Sequence, residues 1–541
     1  MNKLRALFEP RFAALTLTCV AAILFFVLVP VFPLDDWFLL PMALIASGLA
    51  ALGLHDICQT RHAILRNYPI LAHLRFFLED IRPEIRQYFF EGDKDGAPFP
   101  RDKRAIVYQR AKKDLDKRPF GTQFDVYQEQ YEWLHHSLAP KPDVPVDLMR
   151  VAVGSGVRAY SASLLNISAM SYGALSANAI RSLNKGAQMG RFFHDTGEGG
   201  VSQYHREFGG DLVWEVGSGY FGCRTDGGGF DPARFAATAQ DDQIKMVELK
   251  LSQGAKPGHG GVLPAAKVTA EIAAIRGVPM GQDCISPAAH SVFSTPIGLL
   301  EMVARMRALS GGKPAGFKLC IGHNWEFMSI CKAMLETGIT PDFIVIDGKE
   351  GGTGAAPLEF MDYVGMPLRD GLSFAHNALV GVGLRDRVKI GASGKITSAF
   401  DMARILALGA DWCNAARGFM FAVGCIQAQS CHTGLCPTGV TTQDPIRQRA
   451  LVVPDKAQRV TNFHHNTLHA LAELVAAAGL TQPADLRPHH FLRRASSDRV
   501  ISFAQQYEML EPGQLLADPT SSPRFHEAWA LSSAASFART Q

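Results

Sequence analysis

The sequence predicts an α/β protein: a closed (β/α)8 TIM barrel preceded by two membrane-length helices and a helical connector. Three observations carry this reading. Short β-rich runs alternate with helical segments through the middle of the chain, as a parallel sheet requires. Glycine-rich runs recur just after several of these strands, where barrel sites are built. Two long uncharged stretches open the chain. The division read from these patterns is 1–55 transmembrane hairpin, 56–150 helical and irregular connector, 151–447 barrel, and 448–541 helical tail.

The stretch from Phe12 to Val31 carries no charge, and a second apolar run, Trp37 to Leu54, follows Phe32-Pro33-Leu34-Asp35-Asp36. Each is about as long as a helix must be to cross a bilayer core, roughly 20 residues. Lys3, Arg5 and Arg11 precede the first run and Arg61, Arg66 and Arg75 follow the second, while the turn holds only Asp35 and Asp36. The positive-inside rule then puts both ends, and the catalytic domain, on the cytoplasmic side of the inner membrane, with membrane lipid as a partner. A cleaved signal peptide fits less well, because a second span follows at once; two buried core helices are the other alternative. The connector is rich in Arg, Tyr, Phe and Asp, has an amphipathic stretch from Leu71 to Phe90, and is expected to pack on the catalytic domain.

At 541 residues the chain can hold one barrel-sized domain plus accessory parts. Lys and Arg number 54 against 51 Asp and Glu, and no basic stripe is interleaved with aromatics, so no nucleic-acid partner is expected. Eight strands are predicted around Leu164–Ala169, Arg191–His194, Ile244–Leu249, Gly281–Ile285, Ala315–Cys320, Asp342–Ile346, Val388–Gly391 and Trp412–Ala415. Helical patterns such as Ile297–Leu309 and Ser398–Leu408 separate them, and the glycine-rich segment Glu198–Asp241 reads as a looped insert over the barrel mouth. A doubly wound sheet is the runner-up, but no G-x-G-x-x-G opens a first strand-to-helix turn.

The distinctive residues fall after the strands. Met170 and Ser171 follow the first, Thr196-Gly197-Glu198-Gly199-Gly200 the second, and Gln253 to Gly261 the third. Asp347-Gly348-Lys349-Glu350-Gly351-Gly352 follows the sixth. Each run alone could be a tight turn; four at four strand ends point to a ligand brought close to the backbone. Ser393-Gly394 and Arg417-Gly418 come after strands seven and eight, the usual phosphate-binding corner of a barrel, so a phosphorylated cofactor is indicated. Lys318, in Gly316-Phe317-Lys318-Leu319, would stabilise negative charge on a reduced flavin ring; otherwise it is a lysine snorkelling at a strand end.

Seven of the ten cysteines are scattered and read as core thiols. Cys425, Cys431 and Cys436 instead crowd into one loop, in a C-x5-C-x4-C spacing followed by Pro437, which points to metal chemistry in a reducing compartment. Three thiolates could hold an iron–sulfur cluster, and zinc held with His432 is the alternative. His464, His465 and His469 in the tail read as surface histidines more readily than as metal ligands.

Together and in this order, SAMSYGALS, TGEGG, QGAKPGHGG, IDGKEGGTGAAP, LRDRVKI and GCIQAQSCHTGLCPTGVTTQDP resemble the FMN-binding synthase domain of glutamate synthase, over about Asn166 to Arg447. The resemblance implies a TIM barrel, FMN, a [3Fe–4S] cluster, and reductive amination of 2-oxoglutarate. By position it implies Cys425, Cys431 and Cys436 as cluster ligands, Met170 and Ser171 facing the flavin, Lys318 at its N1 edge, and Gly394 and Gly418 at its phosphate. It implies Glu198, Lys250, Gln253, Lys256 and Arg276 as the lining of the oxoacid site, where cations would pair with two carboxylates.

Three departures accompany it. The family's glutaminase part starts from an N-terminal cysteine, whereas this sequence begins Met1-Asn2, so ammonia is expected from solution or a separate amidotransferase. A tail from about Ala450 stands where the family has a long C-terminal domain. His259 stands where the family usually has Glu, and Val262 where it usually has Gln, which would change the hydrogen bonds offered to a carboxylate. The expected function is a glutamate synthase-like oxidoreductase drawing electrons from a ferredoxin or a membrane donor. The alternatives are an amino-acid or N-alkylamino-acid dehydrogenase passing electrons to the membrane, and a non-catalytic redox subunit.

Overall fold

The computed structural model describes residues 9–32 and 36–540 and divides the chain into two compact units, 1–96 and 97–541. In the first unit the helices Ala13–Leu28 and Asp36–Cys58 pack against each other. The spans Pro10–Leu28 and Trp37–Cys58 have mean hydropathies of 2.2 and 2.0 and are long and apolar enough to cross a membrane. Lys3, Arg5 and Asp35, on which the sidedness argument leans in part, lie outside the described residues, as do Pro33 and Leu34 of the turn. Shorter helices follow, and in Leu71–Asp80 the apolar side chains of Leu71, Leu74 and Phe77 are exposed.

The second unit is a closed barrel of eight parallel strands. They are β1 (Leu165–Ile167), β2 (His194–Asp195), β3 (Leu212–Val216), β4 (Ile244–Lys250), β5 (Ala315–Leu319), β6 (Phe343–Asp347), β7 (Lys389–Ser393) and β8 (Trp412–Ala415). Two of the expected assignments are corrected. The third strand, β3, lies inside the segment read as an insert. Gly281–Ile285 supplies no barrel strand: Cys284–Ile285 pairs with Val262–Leu263 in a small two-stranded excursion.

Side chains alternate along each strand, so the barrel interior fills in layers. Val213, Met246, Phe343, Val345 and Trp412 form an apolar lower layer together with Val153 and Ala162. The last two belong to an antiparallel hairpin, Arg150–Val153 with Tyr160–Ser163. Two residues further along β3 and β4 come Glu215 and Glu248, which face each other in the β3–β4 ladder, so the next layer is charged. Polar hydroxyls fix the helix starts: Ser176 accepts from Ala179 N–H, and Ser398 forms a capping box with Asp401.

The tail is less uniformly helical than expected. Its long helix Val453–Ala477 packs on Ala177–Gly190 and Arg101–Lys112, but Phe491–Arg494 and Val500–Ser502 are strands in a sheet with Glu132–Leu134. Glu132 is buried there with three arginines around it, Arg369 and Arg404 from barrel helices and Arg493 from the tail. Burial pushes its carboxyl up, and Arg404 and Arg369 more than reverse this, so it sits below its ordinary value. His464 is also a correction: it is buried, shares a 2.9 Å hydrogen bond with Ser163, and stacks on Phe192. His469 is exposed, as expected.

Candidate active site

The carboxyl ends of the strands open into a cleft with a cavity volume of about 170 Å³. Of the residues singled out in the sequence, Met170, Ser171, Glu198, Lys250, Gln253, Lys256, Arg276, Lys318, Asp347, Gly351, Gly352, Ser393, Gly394, Arg417, Gly418 and Cys431 line it. Gly348, Cys425 and Cys436 do not. Gly348 stands behind the wall, where its carbonyl approaches Gly254 so closely that a Cβ there would lie 1.7 Å from the oxygen. His259 is also outside the lining; its ring meets Phe360 edge-on, whereas Val262 faces the cleft.

The mouth of the cleft gathers cations around one carboxylate. Lys250 Nζ donates to Glu198 Oε1 at 2.8 Å and to Gln253 Oε1 at 2.7 Å. Burial pushes the Glu198 carboxyl up, but Lys250, Arg276 and Lys256 outweigh it and hold Glu198 below its ordinary value. Lys256 is buried, donates to the Ala355 carbonyl at 2.9 Å, and is pushed down to about 8 by desolvation and by the charge of Lys250. Arg276, buried at the end of a short helix, donates to the Tyr172 carbonyl at 3.2 Å and approaches Ser171 Oγ at 3.4 Å. Its Nε has no partner among the described residues. Lys250, Lys256 and Arg276 therefore exceed Glu198 by two positive charges.

The floor has the opposite imbalance. Lys318 of β5 pairs with Glu215 of β3 and lies 3.5 Å from Glu248 of β4. Asp195, at the end of β2, brings a third carboxylate, and oxygens of the three acids lie within 4.8 Å of one another. The Lys318 ammonium occupies the cationic place among them. Desolvation opposes its charge, yet Glu215, Glu248 and Asp195 together hold the lysine well above its ordinary value. Sequence reasoning found Lys318 but missed all three acids. Asp195 sits one residue before the TGEGG run, and Glu215 was hidden in the segment read as an insert. The available signal was the lysine itself, since a buried ammonium needs anions close by.

The far wall is built from backbone. Gly394, with φ of +152°, takes a conformation that other residues rarely adopt, and Lys395 and Arg417 stand beside it on the lining. Arg417 donates to the Thr353 carbonyl at 2.6 Å.

Next to this wall runs the cysteine loop, whose three thiols are free. Tyr108 Oη donates to the Cys425 carbonyl at 2.6 Å, and Gln427 exchanges hydrogen bonds with the backbone of Phe99. Gln443 donates to the carbonyls of Gly173 and Leu175, tying the loop to the turn after β1. Lys267, another residue not anticipated, donates to the carbonyls of Ala174 (2.8 Å) and Cys431 (3.3 Å), and desolvation brings it down to about 8. Burial pushes Cys425 up to about 11; at Cys436 burial acts the same way, but hydrogen bonds from Thr441 and Thr438 outweigh it and lower the thiol.

A parallel eight-stranded barrel with charged groups collected at its carboxyl end is the architecture of a barrel enzyme. Comparison with known proteins narrows the class. The conserved region in glutamate synthase matches residues 123–481, and the chain belongs to this family of oxidoreductases acting on CH–NH2 donors. The glutamate synthase large subunit-like protein YerD of Bacillus subtilis is 37% identical over 488 residues, 83% of this chain and 93% of that protein. The archaeal glutamate synthase [NADPH] of Methanocaldococcus jannaschii is 37% identical over 324 residues, 59% of this chain and 60% of that protein. Ferredoxin-dependent glutamate synthase 2 of Synechocystis is 33% identical over 264 residues, 48% of this chain but 16% of that protein.

Proposed function

We propose that the chain is an FMN-dependent enzyme that reductively aminates 2-oxoglutarate, or a closely related dicarboxylic oxoacid, with electrons relayed through an iron–sulfur cluster. One observation carries the substrate class: the mouth has a surplus of two buried positive charges, which an oxoacid with two carboxylates would neutralise. Arg276 offers a planar fork to one carboxylate and Lys256 a point charge to the other. Glu198 orients Lys250, and Gln253 completes the wall.

The residues present fit the flavin. Gly394 lies on the cleft lining in a backbone conformation that glycine adopts most readily, Lys395 and Arg417 offer charge to a phosphate, and Gly418 lies alongside. Met170, Ser171, Asp347, Gly351, Gly352 and Ser393 would form the remaining cradle, with Lys318 at the pyrimidine edge. FMN, when bound, supplies the two-electron reduction of a carbon–nitrogen double bond. Cys425, Cys431 and Cys436 suit an iron–sulfur cluster by donor chemistry, and the [3Fe–4S] form, with one thiolate per iron, is the one proposed.

Ammonia would come from solution or from a separate amidotransferase, and electrons from a ferredoxin or a membrane donor. The two apolar helices support attachment to a membrane, and the basic residues flanking them in the sequence, among them Arg11, Arg61, Arg66 and Arg75, support the inner membrane with the barrel on the cytoplasmic side. They also favour a second reading, in which the enzyme oxidises an amino acid and passes electrons into the membrane. The test is to load the purified chain with FMN, iron and sulfide, and to supply a one-electron reductant, 2-oxoglutarate and ammonium. Glutamate is the expected product; none from cofactor-loaded protein overturns the proposal. Flavin bleaching by amino acids without air would select the second reading.

A further inference from the structure

The charged layer beneath the cleft is more than a socket for Lys318. Asp195, Glu215 and Glu248 are each at most 2% exposed, as is expected only of carboxylates that are paired or neutral. One ammonium serves all three, so full ionisation would leave two uncompensated negative charges inside the barrel. Burying even one such charge costs several kcal/mol or more, so at least one of the three keeps its proton at rest and a second is poised to take one. The other groups facing the layer do not relieve this. Gly197 N–H donates to Asp195 Oδ1 at 2.9 Å, Lys250 on β4 is already paired with Glu198, and Asp347 on β6 adds a further negative charge. His194, next to Asp195, turns the other way against His205, and burial keeps it neutral by lowering it to about 3. Glu248 Oε1 accepts no hydrogen bond among the described residues.

We infer that the Asp195–Glu215–Glu248 layer around Lys318 is a proton store, which takes up one proton when a flavin seated against that lysine is reduced. The inference rests on the proposed seating of FMN. Reduction adds two electrons, delivered singly by an iron–sulfur carrier, and one proton at the ring's N5, leaving one negative charge at the N1 edge beside Lys318. Lys318 keeps its proton and now serves that charge as well as the carboxylates. One carboxylate of the layer then takes a proton from solvent and becomes a carboxylic acid. Two electrons and two protons enter in total, so the interior gains no net charge; reoxidation releases the proton. Asp195 is the acceptor, because Glu215 stays bound to the ammonium and Glu248, whose Oε1 has no hydrogen-bond donor among the described residues, already carries its proton at rest. Burial and the neighbouring Glu215 already lift Asp195 to about 7, and burial with the other acids raises Glu248 well above its ordinary value.

The experiment uses the full-length, FMN-loaded protein and two readouts other than turnover. The first is the dependence of the flavin midpoint potential on pH. Two protons per two electrons are expected across neutrality for the wild type, and one, half the slope, for the double variant Asp195→Asn/Glu248→Gln. The second needs no variant: the infrared difference spectrum on reduction should contain a new carboxylic-acid C=O band that shifts in deuterium oxide. A wild-type slope of one proton per two electrons, or no such band, overturns the inference and leaves the proposed function standing. Failure of the protein to bind flavin at all overturns both.

Discussion

The floor of the cleft is built from strand residues and the mouth mostly from the loops and a helix that follow them, and the two depart from neutrality in opposite directions. On the floor three carboxylates share Lys318; at the mouth Lys250, Lys256 and Arg276 share Glu198. The floor rests on an apolar layer, with its three acids buried. The mouth opens to solvent and can be neutralised by an arriving anion. Depth in the barrel therefore separates two opposite charge balances that the residue types alone do not distinguish, and the two roles proposed above follow this division.

The sharpest way to break this contrast is to remove the cation from each layer in turn. Lys318→Met leaves three buried acids with no counter-charge and should cost about 3–5 kcal/mol of stability, read from urea unfolding. Adding Glu215→Gln should recover part of the loss. Arg276→Gln, by contrast, removes surplus charge, so the fold should lose little, while 2-oxoglutarate affinity measured by calorimetry should fall by about 2–3 kcal/mol, on the order of a hundredfold. Equal losses of stability in the two variants would show that the layers do not differ as described.

Proton linkage should separate them as well. Asp195 holds its proton up to about 7 in the folded protein against 3.8 unfolded, so its contribution to stability is full below 3.8 and is lost as pH rises through 7. Lys256 titrates at about 8 when folded against 10.5 unfolded, so the unfolded chain binds the extra proton between these values and stability rises with pH across that window. Urea midpoints measured against pH should show both trends, with Asp195→Asn and Lys256→Gln each flattening its own. Dicarboxylate affinity should fall above about pH 8 as Lys256 loses its proton, a decline absent from Lys256→Gln. The smallest effect belongs to Val262, on the cleft lining. Val262→Gln would add an amide facing the ligand and should tighten dicarboxylate binding by about 1 kcal/mol, roughly fivefold.

The mouth was legible in the sequence because its residues ride on glycine-rich turns whose spacing is distinctive: Glu198 in TGEGG, and Gln253 and Lys256 in QGAKPGHGG. The floor was not, since its acids sit in ordinary strand text. Leu212–Val216 is apolar enough to be a strand, but Gly209 and Gly210 precede it and Gly217, Gly219 and Gly222 follow, so the segment read as loops. Dropping β3 left one strand too few, and Cys284–Ile285, a two-residue ladder, filled the gap. The buried role of His464 was equally invisible, because its partners Ser163 and Phe192 are brought to it by tertiary packing across about three hundred residues.

The Glu132 knot bears on how the protein is made. Its carboxylate precedes the barrel in the chain, two of its arginines lie on the barrel's later helices, and the third is Arg493. During synthesis Glu132 can therefore meet Arg369 and Arg404 before Arg493 exists, and the knot closes in two stages. A nascent chain stalled before residue 491 would carry the full set of barrel strands yet lack the strand that pairs with Glu132–Leu134, so the barrel can close before its edge is tied down.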